Sequence, residues 1–301
     1  MHYPKSKEMQ IKRTITIGAM TNNPLIFNRF GYGTIRLTGN SVWGEPQNRT
    51  EALQILKSTT IKGVNFIDTA DFYGDDVTNR LIAEALFPYS SDLVICTKIG
   101  SARSADKGWR PFNTPENLRT SIERNLKTLK LEQIALVHLR IMPNTETPFE
   151  KQLEAMFEMQ SEGKILHVGL SNVSPGELSV ALKIGHIASV ENAFGYGQRT
   201  TFKVHGQEYR GLAEAMPLCI KNEIPMIPFW SLQNSLPKND DKISVIADKY
   251  NATSAQINLA WLLHHNELLL PIPGTSQLKH FDENVKAVDI SLTAEDMRFL
   301  G

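Results

Sequence analysis

Short apolar segments alternate with longer amphipathic segments along most of this chain. Eight apolar runs stand at residues 29–34, 65–67, 93–97, 134–138, 167–170, 189–192, 226–229 and 268–272. Runs this short and this continuous are typical of strands that are buried on both faces. Between them, apolar residues recur with helical spacing at 50–62, 78–86, 115–129, 148–161, 175–184, 209–221 and 254–265. Eight strands alternating with helices predict an α/β fold, a closed (β/α)8 TIM barrel instead of an open doubly wound sheet.

Local signals support this order of elements. Residues 14–17 and 25–27 alternate around turn-forming residues at 21–24, so an N-terminal β-hairpin is predicted. Thr114 and Ser174 each precede a proline, which predicts a hydroxyl N-cap and a helix start. The longest irregular segments are predicted at 192–208 and 230–241. Because no linker divides the chain, residues 1–301 are predicted to form one domain.

Composition narrows the functional classes. Lysine and arginine together number 32, as do aspartate and glutamate, and no block of like charge stands out. This balance gives no reason to expect a nucleic acid or a membrane surface as partner. No apolar run approaches the ~18 residues of a spanning helix, and residues 1–8 lack the apolar core of a secretory signal. With Cys96 and Cys219 as the only cysteines, a reducing cytoplasm is expected. Nothing in the sequence indicates an oligomeric state.

Polar residues follow three successive predicted strands. Asp68, Lys98 and His138 come at the ends of strands two, three and four, and Tyr73 lies five residues after Asp68. In a barrel these positions meet at one mouth. A tyrosine with a pKa of about 10 is a weak acid, and a nearby ammonium lowers that pKa. Each residue alone has a structural explanation, such as a loop cap or a solvated lysine. Together they predict a general acid that protonates an alkoxide after hydride addition to a carbonyl.

Several blocks that include these residues resemble a known family. The segments are 63–74, 94–98, 163–172 and 272–276, followed by Glu283 and Asn284. They resemble the signature blocks of the aldo-keto reductases and occur in that family's order from about residue 31 to about residue 284. The resemblance implies reduction of an aldehyde or ketone with hydride from NADPH. It also implies that Tyr73 donates the proton, that Lys98 and Asp68 tune it, and that His138 orients the substrate.

A narrower resemblance concerns the substrate. Segments 31–34, 36–39, 71–74, 77–79, 139–142 and 228–230 are similar to the pyridoxal reductase-like bacterial branch, which makes pyridoxal the expected substrate. Arg36, Arg140 and Trp230 are the expected substrate contacts, although either arginine could equally serve in a structural ion pair. The other candidates for the pocket wall are Ile35, Trp43, Trp109, Met142, Phe194 and Tyr196.

The family resemblance also implies a cofactor site. Ser171, Asn172 and Glu191 would contact the nicotinamide carboxamide, and Phe229 would lie against the ring. The remaining cofactor positions are Gly33, Thr34, Trp230, Ser231, Leu232, Gln233, Gly274, Thr275, Ser276, His280, Glu283 and Asn284. Of these, residues 230–233 would line the pyrophosphate, and 274–276, before a probable helix, would hold the adenosine phosphate. The sequence contains no strand-linked Gly-x-Gly-x-x-Gly loop and no metal-ligand spacing, so neither a Rossmann site nor a metal is expected.

Two positions depart from the family pattern. Glu191 stands where the family usually has glutamine, whose amide both donates and accepts. An ionised carboxylate only accepts, so our hypothesis is that Glu191 shifts affinity toward the oxidised, positively charged cofactor. Gly274 and His280 stand where many members place a lysine and an arginine around the 2′-phosphate, although Lys279 is adjacent. NADPH is therefore the cofactor that the resemblance implies, and NADH stays open.

Two other functions remain as alternatives. One is a non-catalytic regulatory barrel that binds nicotinamide as a sensor. The presence of all four catalytic residues argues against that alternative. The other is a barrel aldolase in which Lys98 forms a Schiff base with its substrate. The Tyr73 partner and the complete set of cofactor positions favour the reductase over the aldolase.

Overall fold

The computed structural model of the protein describes residues 10–204, 207–232 and 241–301. Its strands are β1 (Thr14–Ile17), β2 (Leu25–Asn28), β3 (Tyr32–Gly33), β4 (Phe66–Asp68), β5 (Val94–Arg103), β6 (Trp109–Phe112), β7 (Ile134–Arg140), β8 (Ile165–Ser171), β9 (Val190–Glu191), β10 (Phe202–Val204) and β11 (Gln207–Tyr209). Its α-helices are α1 (Arg49–Ile61), α2 (Val77–Leu86), α3 (Pro115–Leu129), α4 (Phe149–Ser161), α5 (Pro175–Ile184), α6 (Leu212–Lys221), α7 (Asp241–Tyr250), α8 (Ser254–His265), α9 (Leu278–Val285) and α10 (Ala294–Leu300). Residues 1–8, on which the leader prediction rests, and 233–240 of the predicted irregular segment lie outside the described residues.

Parallel strands form the centre of the fold and confirm the predicted TIM barrel. They run in the order β3-β4-β5-β7-β8-β9. The segments 226–229 and 268–272 continue the ring through the bonds Ile227 N–H to Val190 O and Leu270 N–H to Met226 O, each 2.8 Å. Gly31 N–H donates to Pro271 O at 2.9 Å and returns to the first strand. These two segments pair through isolated bridges because prolines at 225, 228, 271 and 273 remove backbone donors.

The sequence pattern located the seven predicted helices to within three residues, but it missed other elements. Helices α7 and α10 were not predicted, and the strands β10 and β11 form a hairpin inside the segment expected to be irregular. Strand β5 is twice as long as predicted because it continues past the barrel rim and turns back as the antiparallel strand β6. The cap predictions were right: Thr114 accepts from Asn117 N–H, and Ser174 forms a capping box with Glu177. Within the described residues, no helix combines the length and apolar character needed to cross a membrane.

The predicted N-terminal hairpin is present and fills one end of the barrel. Strands β1 and β2 pair antiparallel, with Ile15 opposite Phe27. The hairpin side chains pack into one apolar cluster with inward-facing strand residues, namely Ile15, Ile17, Phe27, Phe66, Val94, Cys96, Leu136, Ala188, Ile227, Leu270 and Ile272. A larger cluster lies between the strands and the surrounding helices. Because the hairpin closes this end, we expect a functional site at the other end, at the carboxyl ends of the strands.

Asp296, which belongs to the capping box of the C-terminal helix α10, also joins this helix to α7. The Asp296 carboxylate accepts from Thr293 N–H at 3.0 Å, from Lys249 Nζ at 2.6 Å and from the Tyr250 hydroxyl at 2.6 Å. Burial acts to raise the pKa of Asp296, but these hydrogen bonds outweigh burial and lower the pKa to about 2. The folded state therefore prefers the ionised form, and its contribution is present above the unfolded pKa of about 4 and lost toward pH 2.

We expect Asp296→Asn to lower the free energy of unfolding by about 2 kcal/mol at pH 7, because it removes this ionised partner. Urea unfolding measured at pH 7, 4 and 3 should show the difference from the parent protein shrinking as the pH falls. The neighbouring exposed Glu295→Gln is the control and should change stability little at any pH. A difference that stays constant down to pH 3 would contradict the ionic explanation.

Candidate active site

The four predicted catalytic residues lie together at the open mouth of the barrel. Asp68 ends β4, whereas Lys98 and His138 lie within β5 and β7 as opposite partners in the parallel ladder. All four side chains are almost fully buried, from 0% exposure for His138 to 7% for Tyr73. The prediction that Lys98 and His138 end their strands was wrong, because β5 runs on to Arg103 and β7 to Arg140.

Lys98 is the charge at the centre of the site. Its Nζ donates to both oxygens of Asp68, at 2.6 and 2.5 Å, and to the Thr69 carbonyl at 3.2 Å. It also lies 3.3 Å from Glu191 Oε1. Burial acts to lower the pKa of Lys98, but Asp68 and then Glu191 more than compensate, so its pKa lies well above the ordinary value. Lys98 is therefore an ammonium at any physiological pH.

Tyr73 is held in the loop that follows β4. Its ring centroid is 5.1 Å from Lys98 Nζ, and its ring edge packs against Phe72 with centroids 5.3 Å apart. Burial raises the pKa of Tyr73 above its ordinary value; Lys98 acts to lower it, and Asp68 and Glu191 act to raise it further. The expected net lowering of the tyrosine pKa is therefore not observed. The hydroxyl keeps its proton at neutral pH, as an acid must, and an alkoxide is basic enough to remove it.

His138 contacts protein atoms through both ring nitrogens. Nε2 lies 2.7 Å from Ser189 Oγ, and Nδ1 lies 3.1 Å from Cys96 Sγ and 3.3 Å from Glu191 Oε2. Burial, followed by the charge of Lys98, holds the pKa of His138 well below its usual range, so the imidazole is neutral. A Cβ on Gly169 would stand 2.4 Å from His138 Cδ2, so this glycine makes room for the ring. Both ring nitrogens of His138 therefore approach protein atoms, whereas the family resemblance implied that His138 orients the substrate.

Glu191, predicted as a cofactor contact, lies in the same cluster as the predicted catalytic residues Lys98 and His138. It ends β9 beside Ser171 in the ladder and is 1% exposed. Burial and then the neighbouring Asp68 raise the pKa of Glu191 to about 8, against the opposing charges of Lys98 and Arg140. These surroundings therefore favour the protonated carboxyl group at neutral pH, whereas the sequence led us to expect an ionised carboxylate.

A buried polar network behind the site was not foreseen from the sequence. The Thr69 hydroxyl donates to Asn79 Oδ1 at 2.9 Å, and Asn79 Nδ2 donates to Asn125 Oδ1 at 2.9 Å. Thr97, next to Lys98, donates to the same Asn125 oxygen at 2.7 Å. Asn125 Nδ2 in turn donates to the Ser121 carbonyl on α3. The network thus joins the loop that carries Tyr73 to the strand that carries Lys98. One sequence signal that could have indicated the network is Asn125, a polar residue on the buried face of α3.

We expect Asn125→Ala to lower the free energy of unfolding by about 3 kcal/mol, because buried donors on Thr97 and Asn79 lose their shared acceptor. Urea unfolding of the purified variant measures this loss. Thr120→Ala on the exposed face of the same helix removes only a local bond to Glu116 O and serves as the control. Equal, small effects of the two substitutions would show that the network contributes nothing beyond helix propensity.

The nicotinamide side of the predicted cofactor site is formed by the ends of β8 and β9. Ser171 Oγ accepts from Arg140 Nη1 at 3.3 Å. Asn172, in a left-handed conformation with φ of 60°, uses its amide on the backbone, and Oδ1 accepts from Arg210 N–H at 2.8 Å. Glu191 Oε2 is buried and has no hydrogen-bond partner among the described residues. Ser171 and Glu191 are therefore the groups here that offer polar atoms to a carboxamide.

An aromatic cluster covers the next part of the mouth. Phe229 and Trp230 both contact Tyr209, with centroids 6.2 and 5.2 Å apart, and Trp230 also contacts Phe202 at 5.2 Å. Tyr209 and Phe202 come from the unpredicted β10–β11 hairpin. Ser231 is buried, and its carbonyl accepts from Asn258, whereas Leu232 packs against the main core. Gln233 lies outside the described residues.

On the adenosine side of the predicted site, the backbone at Gly274 passes close to the backbone at Gly33. A Cβ on Gly274 would stand 2.7 Å from Gly33 O, and one on Gly33 would stand 2.8 Å from Ile272 O, so both positions require glycine. Thr34 is buried and donates to Asp68 O at 2.9 Å. Arg36 Cγ lies 3.5 Å from that Gly274 Cβ position. Arg36, predicted as a substrate contact, therefore lies beside Gly274, which was predicted as a cofactor position.

The probable helix after residues 274–276 is α9, and it carries the remaining cofactor positions. Thr275 is buried, and its carbonyl accepts from the Tyr32 hydroxyl at 2.6 Å, whereas Ser276 and His280 are exposed. Asn284 is buried and Glu283 is one-third exposed. The first N–H of α9, on Leu278, donates to Glu51 Oε1 at 3.0 Å, so that donor is already engaged.

Most residues of the predicted pocket wall lie outside the main core, whereas two of them pack inside it. Arg140 packs its guanidinium between Tyr209 and Phe229, at 5.6 and 5.4 Å from their centroids. Trp43 and Trp109 both face Arg103, which the sequence did not single out, and Trp109 lies over its guanidinium at 4.1 Å. Met142 is also buried, and Ile35 packs beside Tyr73. Phe194 and Tyr196 instead pack on Trp261 in the main core, so their assignment to the pocket was wrong.

Sequence comparison identifies the family. The sequence model of the Aldo/keto reductase family matches residues 29–300. The chain is 37% identical over 288 residues to the Escherichia coli (strain K12) protein named pyridoxine 4-dehydrogenase, a match that covers 94% of this chain and 95% of that protein. This chain belongs to the aldo/keto reductase family. A protein of Schizosaccharomyces pombe named as an uncharacterized oxidoreductase is 34% identical to this aldo/keto reductase over 280 residues, which cover 92% of this chain and 87% of that one.

Solved aldo/keto reductase structures agree with the fold of this member. A thermostable aldo-keto reductase solved with the inhibitor epalrestat superposes with a TM-score of 0.79 at 26% identity, covering 95% of this chain and 98% of that one. A Klebsiella pneumoniae aldo-keto reductase solved with NADPH gives a TM-score of 0.77 at 20% identity, covering 97% and 94%. The predicted family, the predicted barrel and the assignment as an oxidoreductase are therefore confirmed.

Proposed function

We propose that this aldo/keto reductase reduces an aldehyde to an alcohol with hydride from NADPH, with Tyr73 as the proton donor. The observation that carries the proposal is the buried ammonium of Lys98, held by Asp68 at 2.5 Å and placed 5.1 Å from the Tyr73 ring. The ammonium stabilises the phenolate that remains after proton transfer, and Asp68 keeps it in position. Burial excludes water, so both interactions act in a medium of low dielectric.

The residues available for the cofactor fit a nicotinamide dinucleotide. Oε2 of Glu191, which has no hydrogen-bond partner among the described residues, and the hydroxyl of Ser171 suit a carboxamide, and Phe229 offers a ring face. The backbone approach of Gly33 and Gly274 leaves a side-chain-free surface between the first and last barrel segments. Residues 230–232 would border the pyrophosphate, and Thr275, Ser276, His280, Glu283 and Asn284 the adenosine portion. When bound, the cofactor supplies the hydride.

The protein's own residues perform the rest of the reaction. Tyr73 donates its proton to the oxygen that becomes the alcohol, and Lys98 compensates the charge left on the phenol. The network through Thr69, Asn79 and Asn125 fixes the loop of Tyr73 against the strand of Lys98. His138 stays neutral and supports Glu191 from the other side. By microscopic reversibility, the same groups accept the proton when an alcohol is oxidised.

We expect Tyr73→Phe to lower the turnover number by about 10²–10⁴-fold, which is the usual contribution of a general acid. Cofactor binding should be retained, since the substitution removes a hydroxyl and leaves the ring in its packing place. NADPH oxidation followed by absorbance, together with the quenching of protein fluorescence by NADPH, measures the two effects separately. A Tyr73→Phe variant that reduced carbonyls at the parent rate would overturn the acid assignment.

Pyridoxal is the substrate that we propose, since the Escherichia coli relative is named pyridoxine 4-dehydrogenase and matches 94% of this chain. Arg140 supports a substrate with an anionic oxygen. Its guanidinium lies between two aromatic rings, and no carboxylate of the described residues comes within ion-pair distance of it. Pyridoxal carries an ionisable phenol beside its aldehyde and a flat ring that suits this aromatic mouth. Trp230 contributes to the same mouth.

We expect Arg140→Met to raise KM for 4-carboxybenzaldehyde by about tenfold while leaving the KM of its methyl ester unchanged, because a single charge-assisted contact is lost. Assays with NADPH and a panel of pyridoxal, these two aldehydes, methylglyoxal and simple ketones measure the effect and rank the substrates. Arg110→Met, an exposed arginine on β6, is the matched control. Equal losses for the acid and the ester would contradict an electrostatic role for Arg140.

Three broader expectations belong with this proposal. We propose that residues 1–301 form one domain, that the protein works in the cytoplasm, and that it functions without a nucleic acid partner.

The regulatory alternative, a nicotinamide-binding barrel without turnover, predicts that NADPH binds and that no member of the carbonyl panel is reduced. The aldolase alternative predicts borohydride trapping of a carbonyl compound on Lys98, whose ammonium state and two carboxyl neighbours argue against nucleophilic attack.

A further inference from the structure

Two buried acids share one buried ammonium in this site. Lys98 Nζ lies 2.5 Å from Asp68 Oδ2 and 3.3 Å from Glu191 Oε1. Asp68 accepts two short hydrogen bonds from Nζ, whereas Glu191 has only the longer contact and leaves Oε2 without a hydrogen-bond partner in the described part of the chain. Because both acids contact the same ammonium, the charge of Asp68 opposes the ionisation of Glu191. Asp68 has the closer and more numerous contacts with the ammonium, so Glu191 is the acid that keeps a proton.

The other groups that face Glu191 do not reverse this balance. His138, 3.3 Å from Oε2, is neutral because burial and Lys98 lower its pKa. Burial raises the pKa values of Cys96 and Tyr73, so both are neutral as well. Arg140 supplies a second positive charge, but it lies beyond ion-pair distance of Glu191 and its effect ranks below those of burial, Asp68 and Lys98. The surroundings of Glu191 thus favour its protonated form at neutral pH.

We propose that Glu191 holds a proton in the free protein and in its complex with NADPH, and releases that proton when NADP⁺ binds. The inference rests on the proposed function, which places the nicotinamide beside Tyr73. Because hydride and proton reach adjacent atoms of one carbonyl group, the nicotinamide must lie close to Tyr73 and therefore to the Lys98–Glu191 pair. A positive charge within about 4–6 Å lowers the pKa of a carboxyl group by about 1–3 units.

The exchange is balanced without any redox change in the protein. The Glu191 carboxylic acid and NADP⁺ give bound NADP⁺ beside a Glu191 carboxylate, and one proton passes to solvent. With NADPH the neutral carboxylic acid both donates and accepts hydrogen bonds, as the amide of the family's usual glutamine does. With NADP⁺ the carboxylate adds an attractive charge. The preference of Glu191 for the oxidised cofactor is therefore expected to depend on pH.

Calorimetric titration in two buffers of different ionisation enthalpy counts the protons released on binding. At pH 7 we expect NADP⁺ to release about 0.4–0.8 proton more than NADPH, as follows from a fall of one to two units from a pKa of about 8. The 2′-phosphate is common to both ligands and cancels in the comparison. Affinity for NADP⁺ should also rise about tenfold relative to NADPH between pH 6 and pH 8, since higher pH removes the proton that binding must expel.

In Glu191→Gln, we expect both the difference in proton release and the pH dependence to vanish. The control is Glu208→Gln, an acid on β11 that pairs with Arg210 at 2.9 Å, and it should retain both effects. Equal proton release by the two ligands in the parent protein overturns the inference while the proposed function stands. A difference that persists in Glu191→Gln also overturns it. Failure of both ligands to bind would instead refute the proposed function.

Discussion

The rest of the site depends on the burial of the Lys98 ammonium between two acids. Lys98 contacts Asp68, Glu191 and the Thr69 carbonyl, and it approaches the ring of Tyr73. A buried ammonium is costly unless paired and hydrogen-bonded, so each neighbour is both a requirement of the fold and a part of the chemistry. Placing two acids on one ammonium then opposes the ionisation of both acids at once. The protonation state of the whole cluster follows from that single constraint.

The barrel supplies this arrangement through register and through polar support. Lys98 lies opposite His138 in the ladder, and Ser171 lies opposite Glu191, so adjacent strands deliver the cluster at one level. The hairpin of β1 and β2 packs the opposite end with apolar side chains, which leaves one mouth for polar groups. Asn125, on α3, ties the Tyr73 loop to β5 from behind. Position and charge are therefore fixed by different layers of the structure.

Sequence patterns predicted the parts of this site that depend on periodicity. The barrel, the hairpin and the placement of Asp68, Tyr73, Lys98 and His138 at one mouth follow from short buried strands and from motif spacing. The pattern could not predict side-chain orientation. It gave no sign that His138 uses both nitrogens on protein atoms, nor that Asn172 is committed to the backbone. Electrostatic states also escaped it, because the raised pKa of Glu191 arises from burial and from Asp68, which is distant in sequence.

Long-range contacts explain the remaining differences. Arg36 was assigned to the substrate from its sequence context, yet it lies against Gly274, which is far away along the chain. The β10–β11 hairpin was taken as irregular, since three-residue strands leave almost no periodic signal, and it supplies Tyr209 to the mouth. Proline placement at 225, 228, 271 and 273 interrupted the last two barrel strands without altering the ring. In each case contacts between distant parts of the chain, and not the local sequence, determined the structure.

The central claim is that hydride passes from a nicotinamide cofactor to a carbonyl carbon at the mouth formed by Tyr73 and Lys98. The most direct test uses NADPH deuterated stereospecifically at C4 of the nicotinamide, with pyridoxal as the acceptor and mass spectrometry of the alcohol formed. The account predicts that one of the two labelled cofactors transfers its deuterium to the new carbinol carbon and the other transfers none. An alcohol that carries no deuterium from either cofactor would contradict it.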